Sequence, residues 1–208
     1  MSITFFYAPM STASITEAVI EELGIPVEKQ LMSFKDGSLK QAEYLKLNPN
    51  GKVPCIVHDG VPIWESAAIT MYLGEMFGVT KRLYPEPGPR RGEAMKWIAW
   101  ANVTLGEAMY RRGFAGEWSE PALRNAKMEA KATEDIARLL GILDAALADR
   151  PFLLGNDYSL ADTHLSSVGE WMRASKIDLS KYAHTTAWLG RCHARPAAQA
   201  IAARYAQK

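Results

Sequence analysis

Residues 61–70, VPIWESAAIT, set a carboxylate and a hydroxyl side by side, Glu65 and Ser66, where an apolar strand gives way to an apolar helix. Polar groups cost free energy wherever apolar neighbours exclude water, unless they are paired. Two readings account for the pair. In the first, Ser66 caps the helix and Glu65 stays solvated. In the second, the free N–H groups and positive dipole end of the helix collect a ligand carboxylate at Ser66, and Glu65 accepts from a ligand ammonium. The pair then receives the head of a free α-amino acid. Val53-Pro54 is a second candidate. A trans bond there makes Pro54 the start of an edge strand. A cis bond, found at about 5% of X-Pro linkages, bends the chain and frees the Val53 N–H and C=O to pair with a peptide-like ligand. The third candidate is the loop at residues 10–14, where Ser11, Thr12 and Ser14 stand between a strand and a helix. Ligands bind at that edge of open α/β sheets. The hydroxyls either cap the helix or donate to a bound thiolate, lowering a thiol pKa from about 8.5.

The elements that must carry these residues read as β-α-β-α-β-β-α. Ile3–Tyr7 is β-branched and aromatic, a strand. A helix over 15–23 ends at Gly24, and a second strand covers 27–32. A short helix over 39–47 stops at Asn48-Pro49-Asn50-Gly51. Strands 53–58 and 61–64 form a hairpin about Asp59-Gly60, and a helix over 66–77 ends at Gly78. Three prolines and a glycine within residues 84–89 then make a stiff linker. Beyond it only helical spacing recurs: Ala94, Ile98, Ala101, Leu105 and Ala108; Ala126, Ala130, Thr133, Ala137 and Leu140; Ala161, Leu165, Val168 and Met172. Short helices follow at 188–193 and 196–205. The expected organisation is a small α/β domain at 1–79, a linker at 80–90 and an all-helical domain at 91–208.

Composition narrows the function classes. The 208 residues are 48% hydrophobic, and 24 Lys and Arg balance 23 Asp and Glu for a net charge of +1. That balance gives no electrostatic footprint for nucleic acid or an anionic membrane. No apolar run approaches the roughly 20 residues of a membrane span, and the first residues lack a signal-peptide pattern. Cys55 and Cys192 stand far apart with no CxxC, as suits free thiols in a cytoplasm. His184, Cys192 and His193 lack zinc-site spacing, so no metal is expected. Cys55, in an apolar strand, reads as a buried inert thiol, and His164 as a buried, hydrogen-bonded helix residue.

Together YAPMSTAS (7–14), NPNGKVPCIV (48–57), WESAAITMYL (64–73) and LLGNDYSLADTHL (153–165) resemble the cytosolic glutathione transferase family over essentially the whole chain. The resemblance implies an α/β thioredoxin-like N-terminal domain followed by an all-α C-terminal helical domain, a homodimer, and glutathione as co-substrate. It assigns the γ-glutamyl end of glutathione to Glu65 and Ser66, its cysteinyl backbone to Val53 before a cis Pro54, and its glycyl carboxylate to Lys52 and Asn50. The serine-type pattern Tyr-x-Pro-x-Ser falls on Ser11, the cysteine of a bacterial subgroup falls on Thr12, and Tyr7 resembles the tyrosine of other members. The expected thiol activator is Ser11, then Thr12, then Tyr7. No cysteine occurs in this loop, which disfavours that subgroup's disulfide chemistry. The electrophile pocket is expected from Met10, Met109, Tyr110, Arg112 and Phe114, with Trp118 divided between pocket and packing. Ser159–Asp162 resembles the family's N-capping box, a structural role. The implied reaction is attack of the glutathione thiolate on a small hydrophobic electrophile. Glutathione-dependent reduction, isomerisation or dehalogenation, and binding without turnover, are the alternatives.

Overall fold

The computed structural model describes residues 2–206. Four strands, β1 (Ile3–Tyr7), β2 (Glu28–Leu31), β3 (Cys55–His58) and β4 (Val61–Trp64), form one mixed sheet in the order β2-β1-β3-β4. β1 runs parallel to β2 and antiparallel to β3, and β4 pairs antiparallel with β3. Period-two alternation along β1 sends Ile3 and Phe5 into the core, while Phe6 meets the Tyr44 ring on the other face. The hairpin turns on Asp59 (φ 46°) and Gly60 (φ 84°), both left-handed as a tight two-residue turn requires. Helices α1 (Ala13–Leu23), α2 (Ala42–Leu47) and α3 (Ser66–Leu73) complete this layer.

Several boundaries differ from the sequence reading. The expected 39–47 helix is a 3₁₀ turn at Ser38–Lys40 followed by α2, interrupted where Gln41 adopts extended backbone. Helix α3 continues past Leu73 as a single wide π turn, Gly74–Gly78. Glu65, at φ 72°, holds the cap position, so Ser66 is the first helical residue rather than the cap.

The second layer is helical. α4 (Pro89–Trp100) begins on a proline inside the segment read as linker, as suits a first helical turn. It passes through a π-helical stretch, Ala101–Gly106, into α5 (Glu107–Ala115). α6 (Ala126–Ala146), α7 (Leu160–Ala174), α8 (Ala183–His193) and α9 (Pro196–Ala206) follow. The stripes through Ala94 and Ala161 are buried as expected. That on α6 is not: Ala126, Ala130, Thr133 and Ala137 face solvent, and Ala132, Ile136, Leu139, Leu140 and Leu143 form the buried face. Alanine is as regular on either side of this helix, and the larger aliphatic residues decide which side is buried.

Two polar devices set the helices. Asp162, fully buried, accepts from the Leu153 N–H (2.8 Å), the Ser159 N–H and hydroxyl (both 2.9 Å) and the Trp188 indole N–H (2.9 Å). Its Ser159 contacts complete a capping box that starts α7. At the other end of the chain, α9 lies on α1. Glu17 accepts from Lys29 (2.8 Å), Arg204 (3.0 Å) and the Tyr205 hydroxyl (2.8 Å), Arg204 also reaches Glu21, and Arg195 pairs with Glu22.

Removing the Asp162 carboxylate strands four buried donors. Asp162→Ala is expected to lower unfolding free energy by about 3 kcal/mol or more in denaturant titration, and Asp162→Asn by less. Burial alone would raise the Glu17 pKa, but the bonds from Lys29 and Tyr205 and the charges of Lys29 and Arg204 outweigh it and leave the carboxyl below its ordinary 4.5. A depressed carboxyl stabilises the fold above its unfolded pKa and loses that stabilisation as pH falls through the folded value. The Glu17→Gln protein is therefore expected to be less stable than wild type at pH 7, with the gap closing as pH falls below about 4, read by thermal unfolding across that range.

Candidate functional site

The turn Asn48-Pro49-Asn50-Gly51 is locked from within. Tyr44 Oη (2.6 Å) and Asn48 Nδ2 (2.7 Å) both donate to the Lys52 carbonyl, and Asn48 Oδ1 accepts from the Asn50 N–H. Gly51 sits at φ 58°, where a Cβ would meet the Leu39 carbonyl oxygen at 2.8 Å, so only glycine fits. The Val53-Pro54 bond that follows is cis. Among the described residues nothing accepts the Val53 N–H, and its carbonyl has only a long 3.4 Å contact from Thr12 Oγ1.

This backbone forms one wall of a cavity of about 260 Å³. Asn50, Lys52, Val53, Pro54, Glu65 and Ser66, all picked out from sequence, line it together. The helical layer adds Asn102 and Tyr110. The left-handed backbone at Glu65 puts an exposed carboxylate beside the buried Ser66, whose Oγ accepts from Asn102 Nδ2 at 2.8 Å. The site thus offers a carboxylate, a lysine, a hydroxyl and an unpaired backbone N–H, a set suited to a short peptide with a free amino-acid head.

The three candidate activators part company. Tyr7 stacks on Phe5 and lines neither this cavity nor the cleft beside it. Ser11 Oγ donates to the Ala8 carbonyl (2.6 Å) and accepts from the Ala13 N–H (3.2 Å), so its proton is already used within the loop and its oxygen meets the start of α1. Thr12 lines both cavity and cleft, and its hydroxyl holds only the long contact to Val53.

The cleft, about 1010 Å³, opens between residues 10–14 and helices α5 and α7. Tyr110, Phe114, Trp118 and Trp171 form one aromatic wall, with ring centroids 4.8 Å apart for Tyr110–Trp171 and 5.5 Å for Phe114–Trp118. Trp118 folds back over Gly113, where a Cβ would overlap the indole. Met10, at φ 55° and fully exposed, and Phe34 line the cleft from the sheet domain. Two expectations fail here. Met109 is 2% exposed in the core, because a one-residue step along α5 turns it away from the face carrying Tyr110. Arg112 donates to the Ser175 carbonyl at 3.3 Å and does not line the cleft.

Asn102, Val168, Trp171 and Phe34 were not singled out for the site. Trp171 follows Val168 by three residues on α7, so it shares that face, and this spacing was the available signal. Asn102 lies in the π stretch, which no residue pattern announces.

The sequence model for the glutathione S-transferase N-terminal domain matches residues 1–75, and that for the C-terminal domain matches residues 109–196. The chain belongs to the glutathione S-transferase family. Glutathione S-transferase GstB of Escherichia coli K12 is 34% identical over 145 residues, 69% of each protein. A glutathione transferase from Methylococcus capsulatus strain Bath superposes with a TM-score of 0.83 at 27% identity, covering 95% of this chain and 96% of its own. One from Burkholderia graminis, solved with two glutathione molecules per subunit, gives 0.84 at 26% identity over 95% and 85%. The expected architecture, a four-stranded sheet domain followed by a helical one, is the architecture of this transferase-family chain. Among the described residues no group of three or more His, Cys, Asp or Glu is placed to hold a metal ion, and no helix is long and apolar enough to cross a membrane.

The chain's own thiols stand outside the site. Burial pushes Cys55 up to about 11 and raises Cys192 further, with the Asp162 charge adding to it. The thiolate is the reactive form, so native protein at pH 8 is expected to take up no iodoacetamide at either cysteine, while unfolded protein takes up two equivalents by mass spectrometry.

Proposed function

We propose that the protein is a glutathione transferase that activates the thiol of glutathione with a hydroxyl from its first loop and directs it at an aromatic-walled cleft. The observation that carries this reading is the position of Thr12, common to the cavity and the cleft. Glu65 accepts from the γ-glutamyl ammonium, and Ser66 donates to its carboxylate. The Val53 N–H and C=O pair with the cysteinyl backbone, and Lys52 and Asn50 meet the glycyl carboxylate. These contacts lay the tripeptide along the sheet edge with its sulfur beside Thr12. The Thr12 hydroxyl donates to the thiolate and lowers the thiol pKa. The S–H proton leaves to solvent, the sulfur pair forms a bond to the electrophilic carbon, and the leaving group departs with its bonding pair. Holding both reactants in one cleft supplies proximity. Tyr110, Phe114, Trp118 and Trp171 offer flat apolar surface to the electrophile, and Ser11 holds the loop that carries Thr12. A homodimer in the cytoplasm is the expected setting.

A second reading, glutathione-dependent reduction, draws on the cleft volume of about 1010 Å³ and on the Burkholderia graminis relative that binds two glutathione molecules per subunit. A glutathione-affinity column followed by parallel assays with an aryl halide and a mixed disulfide separates the two. Retention without turnover of either compound would leave a binding protein only.

Thr12→Ala is expected to lower kcat/KM with the aryl halide by about 10²-fold, in the range of one lost transition-state donor, with glutathione still retained. Its pH–rate profile should shift up toward the free thiol value of about 8.5. A Thr12→Ala enzyme with wild-type rates, or a larger loss in Ser11→Ala, would return the role to Ser11.

A further inference from the structure

Behind Ser66 runs a closed chain of polar groups that joins the two domains. Asn102 Nδ2 donates to Ser66 Oγ (2.8 Å), and Asn102 Oδ1 lies 2.9 Å from His164 Nε2. His164 Nδ1 lies 2.8 Å from Thr70 Oγ1, which is itself 2.9 Å from the Ser66 carbonyl. Ser66 and Thr70 belong to α3, Asn102 to the π stretch of the second domain and His164 to α7. Thr70 and His164 have no exposed surface.

Counting protons leaves this chain two arrangements. Burial pushes the His164 pKa down to about 3, so the ring is neutral, with one donor nitrogen and one acceptor. Thr70 has one hydroxyl proton and two acceptors in reach. If Nε2 carries the ring proton, it donates to Asn102 Oδ1, Thr70 donates to Nδ1, and Asn102 Nδ2 donates to Ser66 Oγ. The Ser66 proton is then free to point into the cavity. If Nδ1 carries it, His164 donates to Thr70 and Thr70 to the Ser66 carbonyl. The Asn102 amide turns over to donate to Nε2, and Ser66 must spend its proton on Asn102 Oδ1. The cavity then sees only Ser66 lone pairs, which repel a carboxylate.

We infer that His164 is a positioning residue for glutathione: its Nε2–H tautomer, acting through Asn102, turns the Ser66 hydroxyl proton toward the ligand's α-carboxylate. A carboxylate at Ser66 needs a donor and an ammonium needs an acceptor, so the tautomer also fixes which end of the amino-acid head sits on Ser66. This rests on the reading above that glutathione occupies the cavity. The imidazole touches neither ligand nor reacting atoms, so its effect falls on binding rather than on the chemical step.

The test uses the full-length protein. Long-range ¹H–¹⁵N spectra of the ¹⁵N-labelled wild type, saturated with glutathione, are expected to show His164 protonated at Nε2; protonation at Nδ1 in the complex overturns the inference. In parallel, His164→Leu removes the donor to Asn102 and is expected to raise the glutathione Kd about tenfold by calorimetry, the scale of one buried hydrogen bond. The loss should appear in KM for glutathione rather than in kcat. His164→Gln, which keeps an N–H near the Nε2 position, is expected to recover most of it. A His164→Leu protein that binds as wild type, or an equal loss in both variants, overturns the inference. Should His164→Leu fail to fold, the wild-type spectrum decides alone. Absence of glutathione binding by the wild type itself would sink the cavity assignment, a separate result from any of these.

Discussion

The four hydrogen bonds accepted by Asp162 fix where α7 begins, and every residue that α7 gives to the site is placed from that point. A carboxylate without exposed surface is costly unless its lone pairs are filled. Here donors from the 153 backbone, from both groups of Ser159 and from the Trp188 indole fill them. Burial pushes the Asp162 pKa up and these donors oppose the push. With its first turn pinned, α7 delivers His164 to the seam between the domains, Val168 to the cavity and Trp171 to the cleft wall, at successive steps of one helical face. An anchor three residues into a helix thus governs side chains two turns further on.

The continuous helix from Pro89 to Ala115 contributes the facing wall, and its irregularity matters. Over Ala101–Gly106 the backbone widens into π turns, which rephases the side chains that follow. Asn102 then reaches Ser66 in the sheet domain, and Tyr110 spans from the smaller cavity to the aromatic cleft. Both domains supply atoms to each cavity, so the site exists only when they are packed together.

How much of this was legible follows from how local each signal is. The hairpin at Asp59-Gly60, the locked turn before Gly51 and the capping box at Ser159 are short-range features whose residues lie where the motifs put them, and the Glu65-Ser66 pair stands at the helix start with the cap one residue earlier than read. The grouping of Asn50, Lys52 and Val53 with Glu65 and Ser66 was also readable, because a known pattern of spacing tied them together. What depended on phase was not. Ala130 and Ala137 on α6 fit a buried stripe as well as Ile136 and Leu143 do until volume is weighed. Met109 and Tyr110 are neighbours on α5, and only the helix rotation, altered by the π turns upstream, sends one inward and the other to the site. Ser11 and Thr12 differ in their hydrogen bonds and in which cavity they line, neither of which a sequence records. Asn102 carried no motif, and His164 was readable only as a buried, hydrogen-bonded helix residue; the partners of the two lie 36 and 94 residues away in the chain.

The belt of ion pairs between α9 and α1 ties the last helix to the first. Helix α1 carries the loop with Ser11 and Thr12 at its start and Glu17, Glu21 and Glu22 along its flank. Arg195, Arg204 and Tyr205 are the last of its partners to be made by a ribosome, which delivers the chain from its N-terminus. The sheet can assemble on the nascent chain, yet the acidic flank of α1 stays without its arginines until residues 195–204 have been made. Without residues 195–205, Glu21 and Glu22 would lose these arginines and Glu17 would keep Lys29 alone, so the flank of the helix that starts at the Ser11–Thr12 loop would carry three crowded carboxylates with one cation among them.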